Sequence, residues 1–231
     1  MLRSDPDSAT VVQRLRSAFM AACLVLACGC LTIEENYVFK KDGSGTMEYV
    51  VDLSEMGELM KGLPGADDKD DSKGMMDMKG DLGKIKALPG ISKVKLKTEK
   101  DGYLQRLSFR FADLAALNSA LGQLMPDSTG VATEFFRMEG NTLVRTNNKH
   151  ASELGGSMGG EAGDSTDMTM FLQSMHYRYD FKFAQEVGAA HVAEGVTTEQ
   201  PSGKEVKMST DWSVISKDPK ALDLRIDLAP R

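Results

Sequence analysis

The chain is expected to fold as an α+β protein, a mainly antiparallel sheet built from hairpins with short helices packed on it. Three observations predict it. Apolar and polar residues alternate through most of the strand-like segments, Gly-containing turns such as Asp42-Gly43 and Asp101-Gly102 separate alternating runs, and helical patterns follow hairpins instead of separating parallel strands. Alternation means one wet face and one covered face, the habit of antiparallel sheets, so a Rossmann-like sheet is not expected.

In residues 31–53, Ile33, Tyr37 and Phe39 alternate with polar neighbours, Lys41-Asp42-Gly43-Ser44-Gly45 makes the turn, and Met47, Tyr49, Val51 and Leu53 alternate back. Asp-Gly between such runs is a strong hairpin signal. Ser54-Glu55 starts a short helix through Met56, Leu59, Met60 and Leu63, ended by Pro64-Gly65. The plan repeats after residue 90. Val94, Leu96 and Thr98 share a strand face, Asp101-Gly102 turns, Leu107, Phe109 and Phe111 return, and Asp113 caps a helix bearing Leu114, Leu117, Leu121 and Leu124. Gly43 to Ser54 and Gly102 to Asp113 are both eleven residues apart, which suits an internal duplication and equally the common grammar of hairpins.

Two insertions, near 64–74 and 150–166, are expected to be mobile: the first is the charge run Ala66 to Lys73, the second the Gly-rich stretch Ser152 to Ser165. Met75 to Leu88 reads as a helix stopped by Pro89-Gly90, Ala132–Met138 and Thr142–Thr146 as a hairpin around Gly140-Asn141, and Asp167–Met175 as a helix. The final third is strand-rich. Tyr177, Tyr179, Phe181 and Phe183 alternate with polar residues, as do Val206, Met208, Thr210, Trp212 and Val214, and then Leu222, Leu224, Ile226 and Leu228.

The N-terminus carries an address. Arg3, Arg14 and Arg16 precede a charge-free run from Ser17 to Leu26 that ends in Ala27-Cys28-Gly29-Cys30, the order of a secretory signal and too short for a span of about 20 apolar residues. Small residues before a cysteine suit lipoprotein processing. Residues 1–29 then form the signal peptide, residues 30–231 a single α+β domain, and Cys30 is the lipidated residue, with Cys28 as the alternative register. Cys30 leaves no free thiol in the mature chain, which fits an oxidising compartment, and Leu31 starts the first strand directly. Leu31 in the second position points to the outer membrane. Glu34 and Glu35 sit where surface-export signals of Bacteroidota carry acidic residues; an acidic pair facing water on the first strand explains them equally well.

From Cys30 onward the chain keeps 25 basic and 32 acidic residues, a formal charge of −7. That balance argues against nucleic acid as a partner, and membrane attachment is expected from the acyl chains.

No reactive constellation stands out. Gly155-Gly156-Ser157-Met158-Gly159 satisfies a hydrolase expression, with His150, His176 and His191 as nominal bases, but a nucleophile elbow needs a buried strand before it and a helix after it. Asp68 to Lys73 has the carboxylate density of a calcium loop but places Lys73 where glycine belongs and Lys79 where a bidentate glutamate belongs. Met56, Met60, Met75, Met76 and Met78 invite a copper reading, against which methionine commonly fills core gaps. Neither a metal nor a cofactor is expected, nor enzymatic activity. The aromatic strand Tyr177 to Phe183 and Trp212 are expected in the core; the alternative is that they line a cavity for a lipid or other apolar ligand.

Two segments resemble LppM-like lipoproteins and related Bacteroidota lipoproteins: Gly29 to Glu35 leading through Phe39–Gly45 to Tyr49–Met56, and Tyr179–Phe183 followed by Val192–Gly195 and Val206–Trp212. The resemblance implies a lipidated cysteine, a hairpin and helix, and a late tryptophan strand. Its motifs are structural. The proline usual at the end of the aromatic strand is replaced by Ala184-Gln185-Glu186, and the C-terminal membrane helix of mycobacterial relatives is not seen before Arg231.

Overall fold

The computed structural model describes residues 31–61, 78–126, 133–147, 166–218 and 220–230. The fold is α+β. Its strands are β1 Leu31–Phe39, β2 Gly45–Asp52, β3 Ile91–Glu99, β4 Leu104–Phe111, β5 Phe136–Glu139, β6 Thr142–Arg145, β7 Met175–Phe183, β8 Val187–Val192, β9 Thr197–Ser202, β10 Glu205–Asp211 and β11 Leu224–Leu228. Its helices are α1 Ser54–Lys61, α2 Lys79–Lys86, α3 Leu114–Leu124, α4 Thr166–Gln173 and the single turn α5 Trp212–Ile215.

Seven strands form one sheet in the order β3-β4-β2-β1-β7-β10-β9, and four form a second in the order β5-β6-β11-β8. The two predicted hairpin-helix units lie side by side, joined by the antiparallel pairing of β2 with β4 from Gly45↔Phe111 to Asp52↔Leu104. One pairing departs from the antiparallel rule. β1 and β7 run parallel, with Leu31 opposite Met175 and Phe39 opposite Phe183; such a pair needs a long crossover, and residues 40–174 supply it. Both expected insertions fall almost wholly outside the described residues.

Strand period 2 sorts the large sheet's side chains. Ile33, Tyr37, Met47, Leu107, Phe109, Tyr177, Phe181 and Val206 face inward, beneath the second sheet and the helices. Phe136 of β5 stands edge-on to Tyr37 at 5.0 Å and to Phe39 at 6.0 Å. The outward residues form a salt lattice, with Arg178 3.4 Å from Glu34, Lys182 3.6 Å from Glu205 and Lys207 3.7 Å from Asp180. Exposed pairs of this kind stabilise little. Lys93, Lys95 and Lys97 stand exposed on the edge strand β3, where charge discourages pairing with another chain.

The local signals hold where a side chain enforces them. Asp113 caps α3, its carboxylate accepting from the Ala116 N–H at 2.8 Å, and Gly43 turns the first hairpin at φ 84°. α2 starts at Lys79, inside the longer helix the sequence suggests. Trp212 is a correction: it begins a helical turn instead of continuing a strand, because Asp211 caps that turn by accepting from Ser213 N–H at 2.8 Å and Val214 N–H at 3.3 Å. It is nevertheless fully buried. β8 and β9 are additions to the expected elements, since neither Val187–Val192 nor the fully exposed Thr197–Ser202 alternates in hydropathy.

Asn118 of α3 docks the small sheet. Its amide donates to the Phe136 carbonyl at 2.8 Å and accepts from the Phe136 N–H at 2.7 Å, acting as an extra strand partner for β5. Asn118→Ala orphans both groups beside a buried ring and is expected to cost about 2 kcal/mol. Urea unfolding checks it: a lower midpoint with unchanged slope.

Candidate functional site

Residues 31, 33, 35, 37 and 39 share the inner face of β1, so Glu35 lies between Ile33 and Tyr37 and is 0% exposed. This corrects the water-facing reading of the Glu34–Glu35 pair: consecutive strand residues face opposite ways, and only Glu34 reaches the outer lattice. Arg145, the last residue of β6, is also 0% exposed. Its Nη2 donates to both carboxylate oxygens of Glu35, at 2.7 and 2.5 Å. The Tyr37 hydroxyl donates to Glu35 Oε2 and the Tyr177 hydroxyl to Oε1. A carboxylate of the large sheet is thus closed by two hydroxyls of its own sheet and a guanidinium of the other.

Aromatic rings hold the cation. The Arg145 guanidinium carbon lies 4.9 Å from the centroid of Tyr179, 5.1 Å from Phe136 and 5.7 Å from Phe135. Among the described residues its Nε and Nη1 have no hydrogen-bond acceptor; ring faces take that role. Beyond it, Asn147 Nδ2 donates to the Tyr179 hydroxyl at 3.3 Å, which donates to the Leu222 carbonyl at 3.3 Å, and the Asn147 N–H reaches Asp223 Oδ1 at 2.6 Å.

The electrostatics fix protons in place. Burial first, and then the Glu35 charge, push the Tyr37 and Tyr177 hydroxyls well above the usual phenol range, and burial does the same for Tyr49 and Tyr179. Burial alone would lower the Arg145 pKa; Glu35 and the surrounding tyrosines outweigh it, and the net direction is up. Burial also raises Asp223, against the opposing Asn147 N–H. The cluster therefore holds a charge pair between protonated phenols, a brace between the two sheets. Taking the ions out of water costs several kcal/mol each, so the pair adds little net stability, although removing either partner strands the other's charge.

The sequence-derived candidates are placed differently. Cys30 and Cys28 lie outside the described residues, as do His150, Ser157, the Asp68–Lys73 run, Met75 and Met76. β1 is described from Leu31 onward. His176 is half-buried on the outer face of the large sheet, its pKa lowered by burial and by Arg178. His191 is exposed on β8, with Nε2 3.2 Å from Asp227 Oδ2. Met78 is buried, its N–H directed to Gln105 Oε1 at 3.3 Å. Among the described residues no three His, Cys, Asp or Glu side chains are grouped to hold a metal ion, and no helix is long and apolar enough to cross a membrane.

The aromatic strand packs as core. Phe181 stacks on Tyr37 at 5.1 Å and Phe183 on Phe39 at 5.5 Å. Clefts among the described residues open on outer faces, one of about 400 Å³ over Glu34, Arg178, Asp180 and Lys207, and one of about 470 Å³ over Arg137, Val144, His191 and Arg225. The first is lined mainly by charged and polar side chains, whereas the second mixes charged side chains with Val144, Val192, Ala193 and Leu224.

No family model matches the chain, and no curated protein matches it. Among solved structures, the folded domain of Mycobacterium tuberculosis LppM, determined by NMR, is weakly similar, with a TM-score of 0.44 at 14% identity over 87% of this chain and 91% of that one.

Proposed function

We propose that the chain is a bacterial envelope lipoprotein, anchored by acyl chains on Cys30, whose α+β domain serves a non-enzymatic binding or structural role. The observation that carries it is the junction between leader and fold. Leu31, the residue after Cys30, is the first residue of β1, is 2% exposed, and belongs to an inner strand of the seven-stranded sheet. A cleavage that leaves Cys30 at the N-terminus keeps every described residue of β1. The outer membrane is the expected destination, from Leu31 in the second position.

The interior fits a support role. Its buried charge cluster is closed by neutral phenols and aromatic rings, and its rings stack on one another where a carrier would hold ligand. A lipid carrier is the second reading.

Labelling cells with radioactive palmitate tests the anchor. Wild-type protein is expected to take up label and Cys30→Ala to lose it; undiminished label in that variant moves the anchor to Cys28 or refutes it.

A further inference from the structure

We propose that α4 is a second membrane contact, laying Met170 and Phe171 into the bilayer interface beside the acylated N-terminus; the proposal rests on the anchoring of Cys30. The parallel register puts Leu31 and Met175, the first residues of β1 and β7, side by side, at a strand spacing of about 4.8 Å. Cys30 is bonded to Leu31. α4 ends at Gln173, two residues before Met175, and the Ser174 N–H closes the helix on the carbonyls of Met170 at 3.2 Å and Phe171 at 3.1 Å. The acyl chains therefore leave the fold next to the C-terminal turn of α4.

That turn shows apolar side chains to solvent. Met170 is 58% and Phe171 39% exposed, whereas Leu172 is buried and ties the helix to the core, where α4 packs on β7 and α5. The other exposed large apolar residues among those described are Val38, near the opposite end of β1, and Met138, in the small sheet. Only the α4 pair is adjacent, and it sits at the rim that the anchor holds to the membrane. The last turn of α4 carries no basic residue and the mature chain is acidic, so the contact is with the apolar part of the interface rather than with anionic headgroups. Amphipathic segments bind there by buried apolar area.

The test uses the acylated full-length protein in phosphatidylcholine vesicles containing spin-labelled lipid. An environment-sensitive dye is placed at Gln173→Cys, with Val38→Cys as the distant reference, and the Gln173→Cys probe is repeated with Met170→Ser and Phe171→Ser. Quenching at position 173 is expected to exceed that at 38 several-fold and to fall at least twofold with the two serines. Quenching unchanged by the serines overturns the proposal, as does a blue-shifted, unquenched dye whose shift grows with protein density, which would seat a second copy on the pair. Recovery of the protein in the aqueous fraction removes the anchoring of Cys30 itself, and the proposal with it.

Discussion

Glu35→Gln is expected to destabilise the domain by about 3–5 kcal/mol, because it leaves Arg145 charged and buried with no counter-ion. For a domain of this size that corresponds to a fall in Tm of roughly 10 °C. Arg145→Met should cost a similar amount, stranding the carboxylate between two phenols. The double variant is the informative one: the amide that replaces the Glu35 carboxylate still accepts from a tyrosine hydroxyl, and a thioether in the aromatic cage needs no partner. Its loss is expected to fall short of the sum of the two single losses by at least about 2 kcal/mol, a coupling typical of residues in direct contact. Urea unfolding of the four proteins measures the cycle. Additive losses would show that the pair is not what joins the sheets.

The second large effect is alkaline unfolding. Tyr37, Tyr49, Tyr177 and Tyr179 all have pKa values raised by burial in the fold. In the unfolded chain each ionises near pH 10. Above that pH the unfolded state binds fewer protons than the folded one, so stability falls as pH rises. The protection is complete below about pH 10 and is lost above it, at about 1.4 kcal/mol per pH unit for each tyrosine and about 5 kcal/mol per unit for the four. Against a total stability of about 5–15 kcal/mol, the domain should unfold within a few pH units. Phenolate absorbance and loss of far-UV circular dichroism are expected to rise together in one cooperative step, and Tyr177→Phe should flatten the slope by about a quarter. Gradual phenolate formation in a chain that keeps its native dichroism would contradict the burial of these hydroxyls.

Much of the fold is legible in local pattern. The hairpins at 31–53 and 91–111, the Asp113 cap and the inward aromatics of β7 follow from period 2, from Asp-Gly turns and from a carboxylate one residue before a helix, all physics of near neighbours. Trp212 misleads because its apolar alternation with Thr210 and Met208 continues across Asp211, although the carboxylate of Asp211 ends the strand by capping the next turn. β8 and β9 give no signal: β9 is exposed throughout, and β8 buries Val187 with Ala190 and Val192 partly covered, but without regular alternation.

The buried pair is half legible. Glu35 stands at an odd position in a strand whose other odd residues are Leu31, Ile33, Tyr37 and Phe39, and strict parity already turns it inward. What parity cannot reveal is its partner. Arg145 is 110 residues away, in a strand of the other sheet, and nothing near it in sequence marks it as buried.

The sequence by itself determined most of the elements and most of their inward faces, and it carries the apolar N-terminal run with its cysteines, because these depend on residues within a few positions of one another. The tertiary structure alone decided the parallel join of β1 to β7, the seating of one sheet on the other, and the closure of Glu35 by Arg145 and two tyrosines. Those depend on which distant faces meet, and a charge can be buried only where the fold brings its counter-charge to it.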